Sequence, residues 1–241
     1  MKKILIAVMI SAAILSGAGA AMAKTETQIS GREALKELKE NLSTVKSYTA
    51  DFKMSVRMGQ KKSNITGKIE CVLPHKARIE MSLREKKTLT QLTVSDARAL
   101  WQYVPDNDVV YLFDLRKMTF EQKQAYIAQG DLTRPFRDMD KATISFKGLA
   151  RIRGEETFLY EGKPSLLIRV QDKESFDNMK VWVARQDGLV RRVVIYDTKG
   201  KETIVQDYEN IQTNVEIEEG RFSFTPPQGV LVVTPQAIRQ Q

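Results

Sequence analysis

The pattern of apolar and polar residues changes its period once, at about residue 47. Before that point, Ser30 and Glu33 have the spacing of a capping box, in which each side chain can bond a backbone N–H of the other residue. Apolar residues then recur at helical spacing among charged ones, at Leu35, Leu38, Leu42 and Val45. This pattern predicts an amphipathic helix that ends near Lys46.

Beyond the helix, apolar and polar residues alternate without a break from Tyr48 to Met58, which is typical of a long strand with one buried face. Gly59–Lys62 predicts a hairpin, and the alternation resumes from Ile65 to Leu73. Further short strands, separated by turn residues, are predicted at Ile79–Leu83, Gln91–Val94, Leu100–Val104, Val109–Leu115, Thr143–Phe146, Thr157–Tyr160, Leu166–Gln171, Lys180–Ala184, Val190–Tyr196 and Glu202–Tyr208. About a dozen hairpin-connected strands imply one long antiparallel sheet that curls toward a barrel.

Residues 118–140 interrupt this series of strands. Thr119 and Gln122 have capping-box spacing, apolar residues follow at helical spacing, and Gly130-Asp131 breaks the pattern. A helical insert cannot join the hydrogen-bond ladder, so we expect it to cover one face or one mouth of the sheet. We expect residues 24–241 to form one domain, since there is no internal repeat, linker or charge block.

The first 23 residues have the organisation of a secretory signal peptide. Lys2 and Lys3 precede an apolar run, and the small residues Ala21 and Ala23 flank Met22 at the predicted cleavage site after Ala23. An uncleaved N-terminal anchor is the alternative, although the run is shorter than the ~20 apolar residues that span a bilayer. We therefore expect an exported protein.

Composition and motifs favour a binding protein over an enzyme. The chain has a single His, His75, and a single Cys, Cys71, which excludes a Cys/His zinc cluster. Neither a G-x-S-x-G nucleophile elbow nor a phosphate-binding glycine loop occurs. The net charge of +8 is modest and mixed with acidic residues, so we expect no nucleic-acid partner. From the residue counts and the missing motifs we expect no metal, no cofactor and no catalytic residue.

The inward positions of the predicted strands are rich in methionine and other apolar residues. Methionine adapts to ligands of varied shape, although simple filling of a core is the alternative interpretation. Shared parity along successive strands predicts an apolar cavity lined by Phe52, Met54, Val56, Met81, Leu83, Leu92, Leu100 and Phe113, with Phe120 and Ile127 from the insert.

Several motifs resemble those of LolA, the periplasmic carrier of outer-membrane lipoproteins. Phe222–Val230 is similar to the family's C-terminal signature F-x-F-x-P-P-x-G-V. Tyr48–Phe52 follows the Y-x-A-x-F type, and Ser95–Pro105 resembles S-D-G-x-x-L-W-x-Y-x-P. The motifs occur in the family's order, over residues 30–233.

The resemblance implies an unclosed antiparallel β-barrel of about 11–12 strands, covered by a helical lid around an apolar cavity. It also implies a periplasmic, monomeric carrier whose partners are acylated lipoproteins, an inner-membrane lipoprotein-release ABC transporter complex and an outer-membrane lipoprotein receptor. Lid closure would depend on Phe120, Ile127 and Phe136. The family's lid-latching Arg is replaced by Leu73, which leaves Arg78 as a candidate for the latch region.

Three other functions stay open at this stage. A lipoprotein-sensing regulator can use the same half-barrel, but we expect such a protein to carry a second C-terminal domain. An exported hydrolase is disfavoured because the catalytic sets are missing. A periplasmic carrier of other lipids or glycolipids would use the same cavity, and the sequence does not separate it from a lipoprotein carrier.

Overall fold

The computed structural model describes residues 29–85, 88–119, 132–133, 144–163 and 176–235. The leader, nearly all of the 118–140 insert and the strand predicted at Leu166–Gln171 lie outside these residues. The helix α1 spans Gly31–Ser43, and no helix in these ranges is long and apolar enough to cross a membrane. The strands are β1 (Ser47–Met58), β2 (Lys61–Val72), β3 (Lys76–Leu83), β4 (Leu89–Asp96), β5 (Ala99–Val104), β6 (Val109–Asp114), β7 (Ile144–Ile152), β8 (Glu155–Gly162), β9 (Phe176–Ala184), β10 (Val190–Asp197), β11 (Glu202–Thr213) and β12 (Leu231–Val233).

These strands form one 12-stranded sheet in the order β12-β6-β5-β4-β3-β2-β1-β11-β10-β9-β8-β7. Within each of two series, β1 to β6 and β7 to β11, neighbours in the chain pair as antiparallel hairpins, and β1 joins the two series by pairing with β11. The edge strands β12 and β7 do not pair with each other, so the sheet is not closed into a barrel. This confirms the predicted mainly β, unclosed fold. The parallel pairing of β12 with β6 was not predicted.

The alternation along β1 assigns the two faces of the sheet. Tyr48, Ala50 and Phe52 are buried on one face, which we call the inner face. Lys53, the next residue along, is exposed on the outer face. Residues directly opposite each other on neighbouring strands share a face, so the register carries this assignment across the whole sheet.

The helix α1 begins with the predicted capping box. The Ser30 N–H donates to Glu33 Oε2 over 2.9 Å, and the Glu33 N–H donates to Ser30 Oγ over 3.3 Å. The helix ends at Ser43, earlier than predicted, because the Thr44 N–H and hydroxyl both turn back to the Asn41 carbonyl. Ala34 and Leu38 are fully buried and pack in the same cluster as the inner face.

Removing the cap should destabilise the protein. We expect Ser30→Ala to lower the free energy of unfolding by about 1 kcal/mol, since the Glu33 N–H loses its partner. Urea unfolding followed by circular dichroism measures this loss, with Ser43→Ala at the other end of the helix as the control. An equal effect of the two substitutions would contradict a specific role for the cap.

The C-terminal segment, residues 214–233, leaves β11 and crosses the outer face. The Asn214 N–H donates to the Ser47 carbonyl over 2.8 Å, and Phe222 is then buried with 1% of its surface exposed. Farther on, the Phe224 ring lies 6.1 Å from the Tyr103 ring between centroids. The sheet is therefore covered on both faces, by different parts of the chain.

Candidate functional site

A row of mostly apolar side chains crosses the inner face from β7 to β3. Each member pairs directly with the next, so all of them point the same way. We call this the Met54 row; its members in order across the sheet are Phe146, Tyr160, Val181, Val193, Gln206, Met54, Ile65 and Leu83.

The burial of the inner face falls along β1, β2 and β3. Toward the start of β1, the inner side chains are closed off from solvent: Ala50 is 4% exposed, and its neighbours Ile69 and Ile79 are 0% and 1% exposed. In the Met54 row, the inner side chains of the same strands are only half-buried. The inner face thus has a closed end and a more open end.

Contacts from distant parts of the chain close the first end. Leu132 is fully buried; its N–H donates to the Tyr48 hydroxyl over 3.1 Å, and its carbonyl accepts from the Val190 N–H over 3.1 Å. From α1, Ala34 and Leu38 pack into the same cluster. The arrangement leaves apolar surface available at the other end, where a ligand could lie along the sheet.

The structure brings most of the predicted cavity residues to the inner face. Five of them lie on the inner face of β1 and β3, on either side of β2: Phe52, Met54, Val56, Met81 and Leu83. Leu100 and Phe113 pair with each other on the same face, but they form a separate small cluster with Leu115. Their role in binding acyl chains stays a prediction.

The prediction that Leu92 faces the cavity is wrong. Leu92 pairs with Glu80, whose side chain points away from that of Met81, so Leu92 lies on the outer face. The inner residues of β4 are the polar Gln91, Thr93 and Ser95. The apolar residues of β4 were assigned to the inner face, but they are buried on the outer face because the C-terminal segment covers it there.

Arg78 also lies on the outer face. Its Nε donates to Glu80 Oε1 over 2.9 Å, and its Nη1 donates to the Arg221 carbonyl over 3.5 Å. Arg221 in turn bonds Glu70 over 2.8 Å. Arg78 therefore links the C-terminal segment to the sheet, and its role in a lid latch stays a prediction. The predicted lid residues Phe120, Ile127 and Phe136 lie outside the described residues.

Sequence reasoning missed the polar groups of the Met54 row. Gln206 is half-buried there, whereas Tyr160 is only 3% exposed and its hydroxyl has no hydrogen-bond partner. Burial raises the pKa of Tyr160 well above its usual value, so the hydroxyl keeps its proton. Only the alternation of β8 signalled the inward position of Tyr160.

The outer face is strongly charged beside the β11 bulge at Asn210. Lys53 and Arg153 both bind the Glu209 carboxylate, over 2.5 and 2.6 Å. The hydrogen bond from Lys53 holds the pKa of Glu209 below its usual value. A depression of about 440 Å³ lies here and includes Lys53, Lys68 and Glu80. Its ion pairs are those of a solvated surface. The apolar surface that could bind hydrocarbon lies on the inner face instead.

Comparisons with known proteins bear on the fold. No protein-family model matches the sequence, and no curated protein is similar to it. An uncharacterised conserved protein from Thermus thermophilus is 15% identical with a TM-score of 0.56, over 85% of this chain and 98% of that one. At this identity the likeness is one of fold.

Two further similar structures overlap less closely. A LolA superfamily protein from Nitrosomonas europaea is 10% identical with a TM-score of 0.38, over 81% of this chain and 98% of that one. MucB in the Pseudomonas aeruginosa MucA/MucB complex is 13% identical with a TM-score of 0.43, over 81% of this chain. The similar part spans 61% of that MucB chain.

Proposed function

We propose that this protein is a periplasmic carrier that binds the acyl chains of lipoproteins on the inner face of its sheet and takes them from the inner to the outer membrane. The observation that carries the proposal is the half-buried band of apolar side chains at the open end: Met54, Val56, Ile65 and Leu83. In a sheet whose only task is to pack a core, these inward positions would be fully buried.

The energetics of acyl chains suit such a surface. Each CH₂ group removed from water contributes about 0.8 kcal/mol, so an acyl chain does not cross an aqueous compartment without a cover. Flexible side chains such as Met54 can adapt to chains of different length. An open sheet also lets a ligand enter from the side, without passing through a closed barrel.

The sequence supplies the rest of the proposal. The signal-peptide pattern of residues 1–23 supports export to the periplasm. The resemblance to the LolA family supports the inner-membrane lipoprotein-release ABC transporter complex as donor and an outer-membrane lipoprotein receptor as acceptor. In this proposal the 118–140 insert is the lid, with Phe120, Ile127 and Phe136 against the acyl chains.

A charge in the Met54 row should weaken ligand binding strongly. We expect Met54→Asp to weaken the binding of a synthetic dipalmitoylated peptide at least tenfold, because a carboxylate must lose water against hydrocarbon. Ser55→Asp, the next residue along but on the outer face, is the matched control and should bind as the unmodified protein does. Calorimetry gives the affinities, and circular dichroism checks that both variants fold. Equal affinities for all three proteins would refute the proposal.

A second measurement does not depend on destabilising the site. An environment-sensitive dye is attached to the new cysteine of Met54→Cys or of Ser55→Cys. The native Cys71 is buried, so it should react slowly with the dye. Adding the lipopeptide should shift the emission of the dye at residue 54 to shorter wavelength and leave the dye at residue 55 unchanged. The opposite pattern would place the lipid on the outer face.

A further inference from the structure

Tyr160 is the member of the Met54 row with an unused hydrogen-bonding group. Its neighbours across the strands are Phe146 on β7 and Val181 on β9, and the Phe146 ring lies 5.5 Å from its own ring between centroids. The side chain is 3% exposed, and its hydroxyl is the buried side-chain polar atom without a partner in the described part of the chain.

Tyr48, an inner tyrosine at the closed end, has a partner for its hydroxyl. The Tyr48 hydroxyl is fully buried too, but it accepts a hydrogen bond from the Leu132 N–H. A buried hydroxyl without a partner has lost its hydrogen bonds to water and gained none in the fold, which destabilises the protein. Such a cost is unusual in a native protein, and it is offset if a bound molecule supplies the missing acceptor.

The surroundings of Tyr160 select the kind of acceptor. No residue of the Met54 row carries a charge, so an ionised carboxylate bound there would lack a cation. A neutral carbonyl next to hydrocarbon matches both the donor and the apolar walls. Phe146 and Val193, which flank Tyr160 and Val181 in the row, are only half-buried, so the row is partly open on both sides of this pair.

We propose that the Tyr160 hydroxyl donates a hydrogen bond to the ester carbonyl that joins an acyl chain to its carrier molecule. The hydroxyl thereby sets the depth at which the chain lies along the Met54 row. This inference rests on the proposed function and adds the chemical group that is recognised. Because its pKa is raised by burial, the hydroxyl remains a donor across the physiological pH range.

The test compares two ligands and two variants of the full chain. The ligands are a dipalmitoylated peptide with ester linkages and the same peptide with ether linkages, which has equal hydrocarbon but no carbonyl. The variants are Tyr160→Phe and, as the control, Tyr196→Phe, whose ring lies on the outer face beside Lys180. We expect Tyr160→Phe to weaken binding of the ester about fivefold and binding of the ether less than twofold. Tyr196→Phe should change neither.

A second readout uses the ligand-free protein. Because Tyr160→Phe removes an unpartnered polar atom, the ligand-free variant should unfold at the same temperature as the unmodified protein or at a higher one. A lower unfolding temperature would mean that the hydroxyl is already bonded, and it would overturn the inference. So would an equal loss of affinity for the ester and the ether, or no loss for either.

The two proposals fail in different ways. If the unmodified protein binds neither lipopeptide, the carrier function fails and this inference fails with it. If it binds both and Tyr160→Phe does not distinguish ester from ether, the carrier function stands and only the role of Tyr160 is overturned.

Discussion

Phe222→Ala should unfold this protein more readily than most single substitutions, with a loss of about 3–5 kcal/mol in the free energy of unfolding. The ring is 1% exposed and belongs to the segment that crosses the outer face of the sheet. Its removal leaves a cavity above β3 and β4 and loosens the cover over Val94, which is fully buried. Urea denaturation gives the loss directly.

Leu231→Ala is the matched control for Phe222→Ala. Leu231 belongs to the same C-terminal segment, but its side chain is 63% exposed, so its truncation should change stability by no more than about 0.5 kcal/mol. If the two substitutions cost the same, the segment does not contribute to the core through Phe222.

Gly67→Ala should cost about 3 kcal/mol although it adds a single methyl group. Gly67 faces Phe52 across β1 and β2, and the Phe52 ring lies over the space that a side chain would occupy. A Cβ atom at Gly67 would clash with that ring and with the backbone carbonyl of Glu80 on β3. The ring can turn but the carbonyl cannot move without the strand, so the strain exceeds ordinary overpacking.

Two controls define the cause of the Gly67 effect. Gly220→Ala adds the same methyl group where nothing lies within 4 Å, and it should leave stability nearly unchanged. Adding Phe52→Leu to Gly67→Ala should restore only part of the loss, because the clash with the Glu80 carbonyl remains. Full rescue, or an equal effect of the two glycine substitutions, would contradict this account of Gly67.

These two residues explain how a core and the proposed binding surface coexist in one sheet. Phe222 closes the outer face over β3 and β4, and Gly67 lets the Phe52 ring lie flat on the inner face next to the Met54 row. The stabilising contacts are thus concentrated at the closed end and on the outer face. Met54, Ile65 and Leu83 are only half-buried, so we expect them to contribute less to stability, which suits the proposed binding and release of a ligand.

Local patterns predicted much of this architecture. The capping box of Ser30 and Glu33 and the alternation of β1 are formed by residues close in sequence, and both are present in the structure. The hairpin at Gly59 and the succession of short strands predicted one long antiparallel sheet for the same reason, whereas the unclosed barrel was implied by the family resemblance. Phe52, Met54 and Val56 were assigned to one face correctly because β1 pairs with β2 without a shift in register.

The error at Leu92 has a physical origin. The alternation of a strand tells which residues are buried, but it does not tell whether they lie on the inner or the outer face of the sheet. Leu92 is buried as its pattern indicates, yet on the outer face, because Phe222 arrives there from a part of the chain far away in sequence. The same segment accepts a hydrogen bond from Arg78 and adds β12 in parallel to β6. Neither contact is encoded in a local sequence pattern, because its partners lie far apart in the chain. The sequence by itself determined most of the strands, the hairpins that join them and the apolar character of the inner face on β1 and β3. Only the tertiary structure decided which apolar residues remain half-exposed and that the Tyr160 hydroxyl is left without a partner, because both depend on what the rest of the chain places above the sheet.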